Sequence, residues 1–241
     1  MEVHHHPKVE KKNFKEYFLE FLMIFLAVTM GFFAESVHEH FNKNEIEKRN
    51  IESYYVDLKK DSADLIWVIK RCEKNISLID SLSKIPGAFT DTSFQRQLFY
   101  YGRQLGFLYS LNPQESAFQQ MQSSGTLSLI QHQNILDSIL NYHARNQVIK
   151  MGEEEMENAY NHAVESSAQF LDFRNLDVTD FSHVSNKKSL RIIGSTQPVQ
   201  EYINWKIFQR GVTESYVYTL KRQLTCLRNL IPLLRSQYDI E

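Results

Sequence analysis

Between Phe21 and Ala34 the chain runs through fourteen consecutive residues without a charge, nearly all of them large and apolar. With its flanks the stretch reads YFLEFLMIFLAVTMGFFAESV, from Tyr17 to Val37. The apolar run from Tyr17 to Ala34, interrupted only at Glu20, is close to the ~20 residues a helix needs to cross ~30 Å of hydrocarbon. We read it as an uncleaved membrane span, the only one in the chain. Three rivals are weaker. A signal peptide would find its basic n-region in Lys8, Lys11, Lys12 and Lys15, but Phe32-Phe33-Ala34 is a poor small-x-small cleavage site. A buried soluble helix would need apolar cover on every side, which the polar remainder offers sparingly. An interfacial helix would present a polar face, and between Phe21 and Ala34 only Thr29 is polar.

Two carboxylates bracket the span. Glu20 and Glu35 are fifteen residues apart, or about 22 Å of helix. That is shorter than the hydrocarbon core, so at least one lies near or inside its boundary. In the plainer reading both reach the headgroups, with Phe14, Tyr17 and Phe41 as interfacial anchors. In the sharper one Glu20 faces a partner helix in an oligomer seam or a proton path. Four lysines precede the span, whereas Lys43, Lys48 and Arg49 follow it. This bias, with the shortness of the leading segment, favours a cytoplasmic N-terminus and a body across the inner membrane in the periplasm.

The remainder is ordinary globular material, with 42% apolar and 23% charged residues over 241 positions. Eight glycines and five prolines are few for that length and favour long helices over many turns. A net charge of -2 without a basic stripe argues against nucleic acid as a partner. Of the two cysteines, Cys72 falls on an apolar helix seam and reads as a small hydrophobe, and pairing with Cys226 is left open.

Residues 1–13 read as a short, disordered cytoplasmic tail, and the His4-His5-His6 tract within it has no assigned role. Residues 14–37 form the span, 38–86 a stalk or long helix, and 87–241 a helical bundle that packs with part of 51–86. No Gly or Pro lies between Phe32 and Ile85, so one very long helix is expected until Pro86-Gly87 breaks it. Val37, Ile51, Leu58, Leu65, Cys72 and Ile79 share a seven-residue register, and Phe41, Tyr55, Ile69 and Ile76 form a second row. Their spacing marks a coiled-coil or bundle seam, with Asn42–Asn50 as a solvated stalk.

Beyond the break, Asp91 or Thr92 can cap a helix through FQRQLFYYGRQL. Asn112-Pro113-Gln114-Glu115 has the signature of a helix start, and Gly125 suits a left-handed cap at the end of that helix. A further helix is expected from about Leu127, an amphipathic one over 145–171 with Glu153-Glu154-Glu155 and Glu157 as a solvated face, and a long loop over 172–198. The segment from Val199 should be helical, interrupted or bent near Gly211, and kinked or ended by Pro232 unless that residue lies in the final turn. Val217, Leu220, Leu224, Leu227, Ile231 and Leu234 alternate three and four apart, the best seam in the chain. The expected class is all-α: a span running into a stalk helix, then an antiparallel bundle.

EYFLEFLMIFLAVTMGFFAESVHEHF, followed by YYVDLKKD, resembles an abundant class of bacterial single-span proteins. SAFQQMQSSGTLSLI, from Ser116 to Ile130, resembles a second signature of that group. The class is a DUF6090-like domain of unknown function, and the likeness covers mainly residues 14–60 and 110–140. It implies a membrane anchor with a helical extramembrane domain and brings no activity, cofactor or catalytic residue. Glu20 is treated as this sequence's own feature.

No Gly-rich phosphate loop and no His-Glu-x-x-His motif is present. Glu35, His38 and Glu39 share a helix face, but surface charge patterning explains them, and no metal or other cofactor is assigned. His132, His143 and His162 read as polar-face or packing residues. The corner Ser123-Ser124-Gly125-Thr126 leaves free N–H groups that can take an anion. Capping of the next helix explains it more simply. Together with Tyr100, Tyr101 and Phe107 it is the candidate ligand corner. Leu58, Leu65, Ile69, Ile76, Leu220, Leu224 and Leu227 are the candidate oligomer or bundle seam.

The expected function is a non-enzymatic, membrane-anchored interaction or scaffold protein of the bacterial envelope. Its expected partners are the bilayer and either a second copy or another membrane protein. The alternatives are an extracytoplasmic sensor of a small ligand and an accessory subunit of an ion-conducting assembly that uses Glu20.

Overall fold

The computed structural model describes residues 13–171 and 194–240. The His4-His5-His6 tract and most of the expected 172–198 loop lie outside them. Helix dominates: α1 is Phe14–Leu82, α2 Thr92–Gln104, α3 Ser116–Ser123, α4 Gln133–Ala168 and α5 Thr196–Tyr238, with a 3-10 turn over Thr126–Leu129. No β-strand occurs among the described residues. The protein is all-α. Its contacts divide it into two units, Met1–Arg49 and Asn50–Glu241.

The first unit contains the N-terminal part of α1. Thr29, its polar interruption, donates its hydroxyl to the Phe25 carbonyl one turn back at 2.7 Å, so the helix satisfies that group by itself. Near the end of this unit Glu39 pairs with Lys43 at 2.7 Å, which holds the Glu39 carboxyl below its ordinary range.

The second unit is built on the rest of α1, on α4 and on α5. Ile51, Leu58, Leu65, Cys72 and Ile79 are buried, as their shared register requires. So is a parallel row at Tyr54, Asp61, Val68 and Leu82. Burying each of the large aliphatic side chains is worth roughly 1.5–3 kcal/mol. α4 and α5 run antiparallel, because successive bonds step forward along one and back along the other. Tyr142 and Asn146 meet Gln223, Glu153 meets Tyr216, and His162 stacks on Trp205. α1 is likewise antiparallel to α5, with Glu73 bridged to Lys221 and Asp80 to Arg210. Gly152 has a packing reason, since a Cβ there would stand 3.2 Å from the Tyr216 ring.

Several boundaries differ from the sequence reading. Asn112–Glu115 stays irregular, and Glu115 makes no side-chain cap bond. The cap comes instead from α1. Asp57 Oδ2 accepts from the Ala117 N–H and the Ser116 hydroxyl, each at 3.1 Å. A carboxylate from a neighbouring helix thus occupies the place predicted for a local cap. The expected helix from Leu127 is only a 3-10 turn there, and the α-helix starts at Gln133. That helix then runs on without the expected division near 145. α5 is one uninterrupted helix across Gly211 and Pro232 and ends at Tyr238, so neither residue ends it. Pro232 deletes one backbone donor, and the buried Leu227, Leu230 and Leu234 flank it on the packed face of the helix. Gly125 is left-handed (φ 73), as read from the sequence.

Candidate functional site

The N-terminal part of α1 is the one helix among the described residues long and apolar enough to cross a membrane, and nothing buries its apolar window. Phe21, Met30 and Phe33 are 63%, 70% and 71% exposed. Large apolar side chains lie uncovered on all sides, whereas a water-exposed helix would have one polar face. Glu20 is half-buried and Glu35 exposed.

The predicted seam residues have a different fate. Leu58, Leu65, Ile69, Leu220, Leu224 and Leu227 all belong to one buried cluster, with Ile76 half-buried against it. The chain fills its own seam, and apart from the half-buried Ile76 these side chains have almost no free surface to offer a partner.

The predicted ligand corner does not assemble. Ser124 donates to the Gln120 carbonyl at 2.7 Å, and its hydroxyl lies 2.9 Å from that of Thr126. Asn50 Nδ2 donates to Thr126 Oγ1 at 2.9 Å, and the Ser123 hydroxyl donates to the Gln120 carbonyl at 3.1 Å. The hydroxyls are therefore used internally. Leu127, beside the corner, packs on the large core cluster, while Tyr101 packs on a second cluster around Leu98, Phe170 and Tyr202. Tyr100 stacks edge-on against Tyr101 at 5.3 Å, so the tyrosines pair with each other rather than with the corner.

Sequence reasoning missed the polar interior. Asp61 is fully buried, and its carboxylate accepts from the Tyr142 hydroxyl and the Gln114 N–H, each at 2.7 Å. Burial holds the Asp61 carboxyl above the usual range, although both hydrogen bonds pull it back. One turn earlier is Asp57, the cap of α3. Glu153, read as part of a solvated face, accepts from the Leu111 N–H at 2.7 Å and from the Tyr216 hydroxyl. His143 bonds to the Tyr54 hydroxyl at 3.1 Å and stacks on Phe118 with ring centres 3.5 Å apart. Burial lowers its pKa to about 4, so it is a neutral packing group. Asn146 Nδ2 and Gln223 Oε1 have no hydrogen-bond partner. One signal was available for Asp61: it sits seven residues from both Tyr54 and Val68, on a row the apolar pattern alone does not reveal.

A second buried group is Lys206, 2% exposed, whose ammonium donates to the Leu105 carbonyl at 3.2 Å and to Gln209 Oε1 at 2.9 Å. The rings of Tyr160 and Tyr202 lie 5.1 and 5.7 Å from its nitrogen, in place of a carboxylate. Burial brings its pKa down to about 7. The Tyr202 hydroxyl close by is buried without a partner.

Both cysteines are free. Cys72 is pushed up to about 12 by burial, which keeps it a thiol. Among the described residues no three His, Cys, Asp or Glu side chains converge as a metal site. No protein-family model, curated protein or solved structure matches the chain, so the functional reading rests on this geometry.

Proposed function

We propose that this is a non-enzymatic interaction protein of the bacterial cell envelope, held in the inner membrane by the N-terminal part of α1. Its N-terminus is cytoplasmic and its helical body periplasmic. The observation that carries the reading is the contrast in cover: the apolar window of α1 is uncovered, while the seams of the body are filled by the chain itself. Association with a second copy or another membrane protein then falls to the span, where Glu20 and Glu35 bracket the apolar face. The DUF6090-like resemblance fits an anchor of this kind. Carbonate extraction at high pH tests the anchor, since the full chain should stay in the pellet. Crosslinking in a mild detergent tests the association. A chain that remains monomeric and captures no membrane protein would defeat it.

One observation favours a ligand-sensing role as the second reading. Asn146 Nδ2 and Gln223 Oε1, in two side chains that bond to each other, and separately the Tyr202 hydroxyl nearer the start of α5, are buried and unpaired, the kind of polar atom that a small polar ligand or a repacking step satisfies. A thermal-shift screen with no stabilising compound would remove it. The third role, in ion conduction, requires that Glu20→Gln alter conductance while leaving assembly intact.

A further inference from the structure

On α4, Asn141 and Arg145 are four residues apart and share one face; on α5, Arg222, Thr225, Cys226 and Asn229 follow at three- and four-residue spacing and share another. The antiparallel packing of these helices sets the two faces together as the walls of a groove of about 320 Å³, lined by these six side chains. That volume is at the small end of ligand-binding clefts. The lining contains two guanidiniums, two amides, a hydroxyl and a thiol, and no carboxylate.

The cations are positioned but not neutralised. Arg145 Nε donates to Asn141 Oδ1 at 3.3 Å, which leaves its terminal nitrogens open. Arg222 lies over the Tyr218 ring at 5.9 Å. Neither has a carboxylate within ion-pair distance among the described residues, whereas Lys221 beside Arg222 is bridged to Glu73 at 2.7 Å. Two like charges that share one groove repel each other until an anion enters between them.

We propose that this groove binds a phosphate-bearing ligand between the Arg145 and Arg222 guanidiniums. The number of donors favours phosphate over carboxylate. A single guanidinium fork already satisfies both oxygens of a carboxylate. Two forks from opposite walls, with the Thr225 hydroxyl and two amides, suit a group with three or four oxygens and up to two negative charges. A free phosphate monoester meets this in full, and a phospholipid headgroup presents the same phosphoryl group with fewer terminal oxygens and a single charge. The site lies wholly within the helical body, so it stands or falls independently of whether α1 crosses a bilayer.

Cys226 reports on the groove from within, because it is half-buried there while Cys72 is 1% exposed. The experiment is alkylation of the full chain by neutral iodoacetamide in a non-ionic detergent, with the modified cysteine identified by mass spectrometry. Inorganic phosphate at about 10 mM should slow Cys226 alkylation roughly threefold or more against sodium chloride of equal ionic strength, as a site of millimolar affinity requires. Arg222→Gln, an exposed substitution checked for retained helicity, should abolish that protection. Protection by phosphatidylglycerol in the micelle, with none from inorganic phosphate, would assign the ligand as a lipid headgroup. Equal rates in phosphate, phosphatidylglycerol and chloride would overturn the site. So would protection that survives in both Arg222→Gln and Arg145→Gln.

Discussion

From Phe21 to Ala34, α1 carries apolar side chains on every face and nothing covers them; from Ile51 to Ile79 the same helix buries some rows and leaves residues such as Lys59, Asp64 and Lys70 exposed. One continuous backbone thus obeys two solvent rules. The first segment suits a medium that is apolar in all directions, and the second suits water on one side and α4 and α5 on the other. The difference also locates the polar groups. Thr29 in the first segment has only its own helix to bond to, whereas Asp57 and Asp61 in the second reach across to α3, α4 and the loop before them. A buried carboxylate is tolerable where neighbouring elements supply donors, and the lone apolar helix has none to supply.

Removing residues 1–37 should have the largest effect. The truncated chain is expected to move entirely from the carbonate-resistant pellet to the supernatant and to keep its helical circular dichroism. Loss of helicity on truncation would mean that the two segments are not separable. Within the body, Asp61→Ala should cost about 3 kcal/mol in urea unfolding, because the Tyr142 hydroxyl and the Gln114 N–H lose their shared acceptor in the interior. Tyr142→Phe should cost less, roughly 1–3 kcal/mol. A near-neutral result for both would show that Asp61 is reached by water and does not organise the core.

Lys206 gives a test with a sign. Its pKa falls from 10.5 to about 7 in the fold, so between those values the unfolded chain binds more protons than the folded one. Stability should therefore climb as pH rises from about 7 to 10.5, and this gain should be absent below pH 7. Lys206→Met should flatten the climb and raise stability at pH 7 by roughly 1–4 kcal/mol, measured as urea midpoints across the pH series. A variant that retains the climb would assign it to another group. Thr126→Val should have the smallest effect, about 1 kcal/mol, for the lost bond from Asn50. A much larger loss would make the corner a structural keystone rather than a satisfied turn.

How far the sequence was legible depended on what each residue had to touch. The break at Pro86-Gly87, the left-handed Gly125 and the leucine seam of α5 follow from backbone restriction and periodicity, which act over a few neighbouring residues. Glu153 and Asp61 look like surface carboxylates by the same rules. They become interior acceptors because Tyr216 and Leu111, or Tyr142 and Gln114, arrive from positions far along the chain. The helix start at Asn112–Glu115 failed for a related reason, since a carboxylate on α1 supplied the cap from outside.

By itself, then, the order of residues determined the all-helical class, the uncovered apolar segment and the rows that face inward, because hydrophobic periodicity and the scarcity of glycine and proline are local properties. Tertiary structure alone decided that the seams close within one chain, that a lysine sits among tyrosines, and that two arginines share a groove. Those outcomes depend on which helix faces which, and charge or polarity read along a single strand of text does not encode the neighbour that will neutralise it.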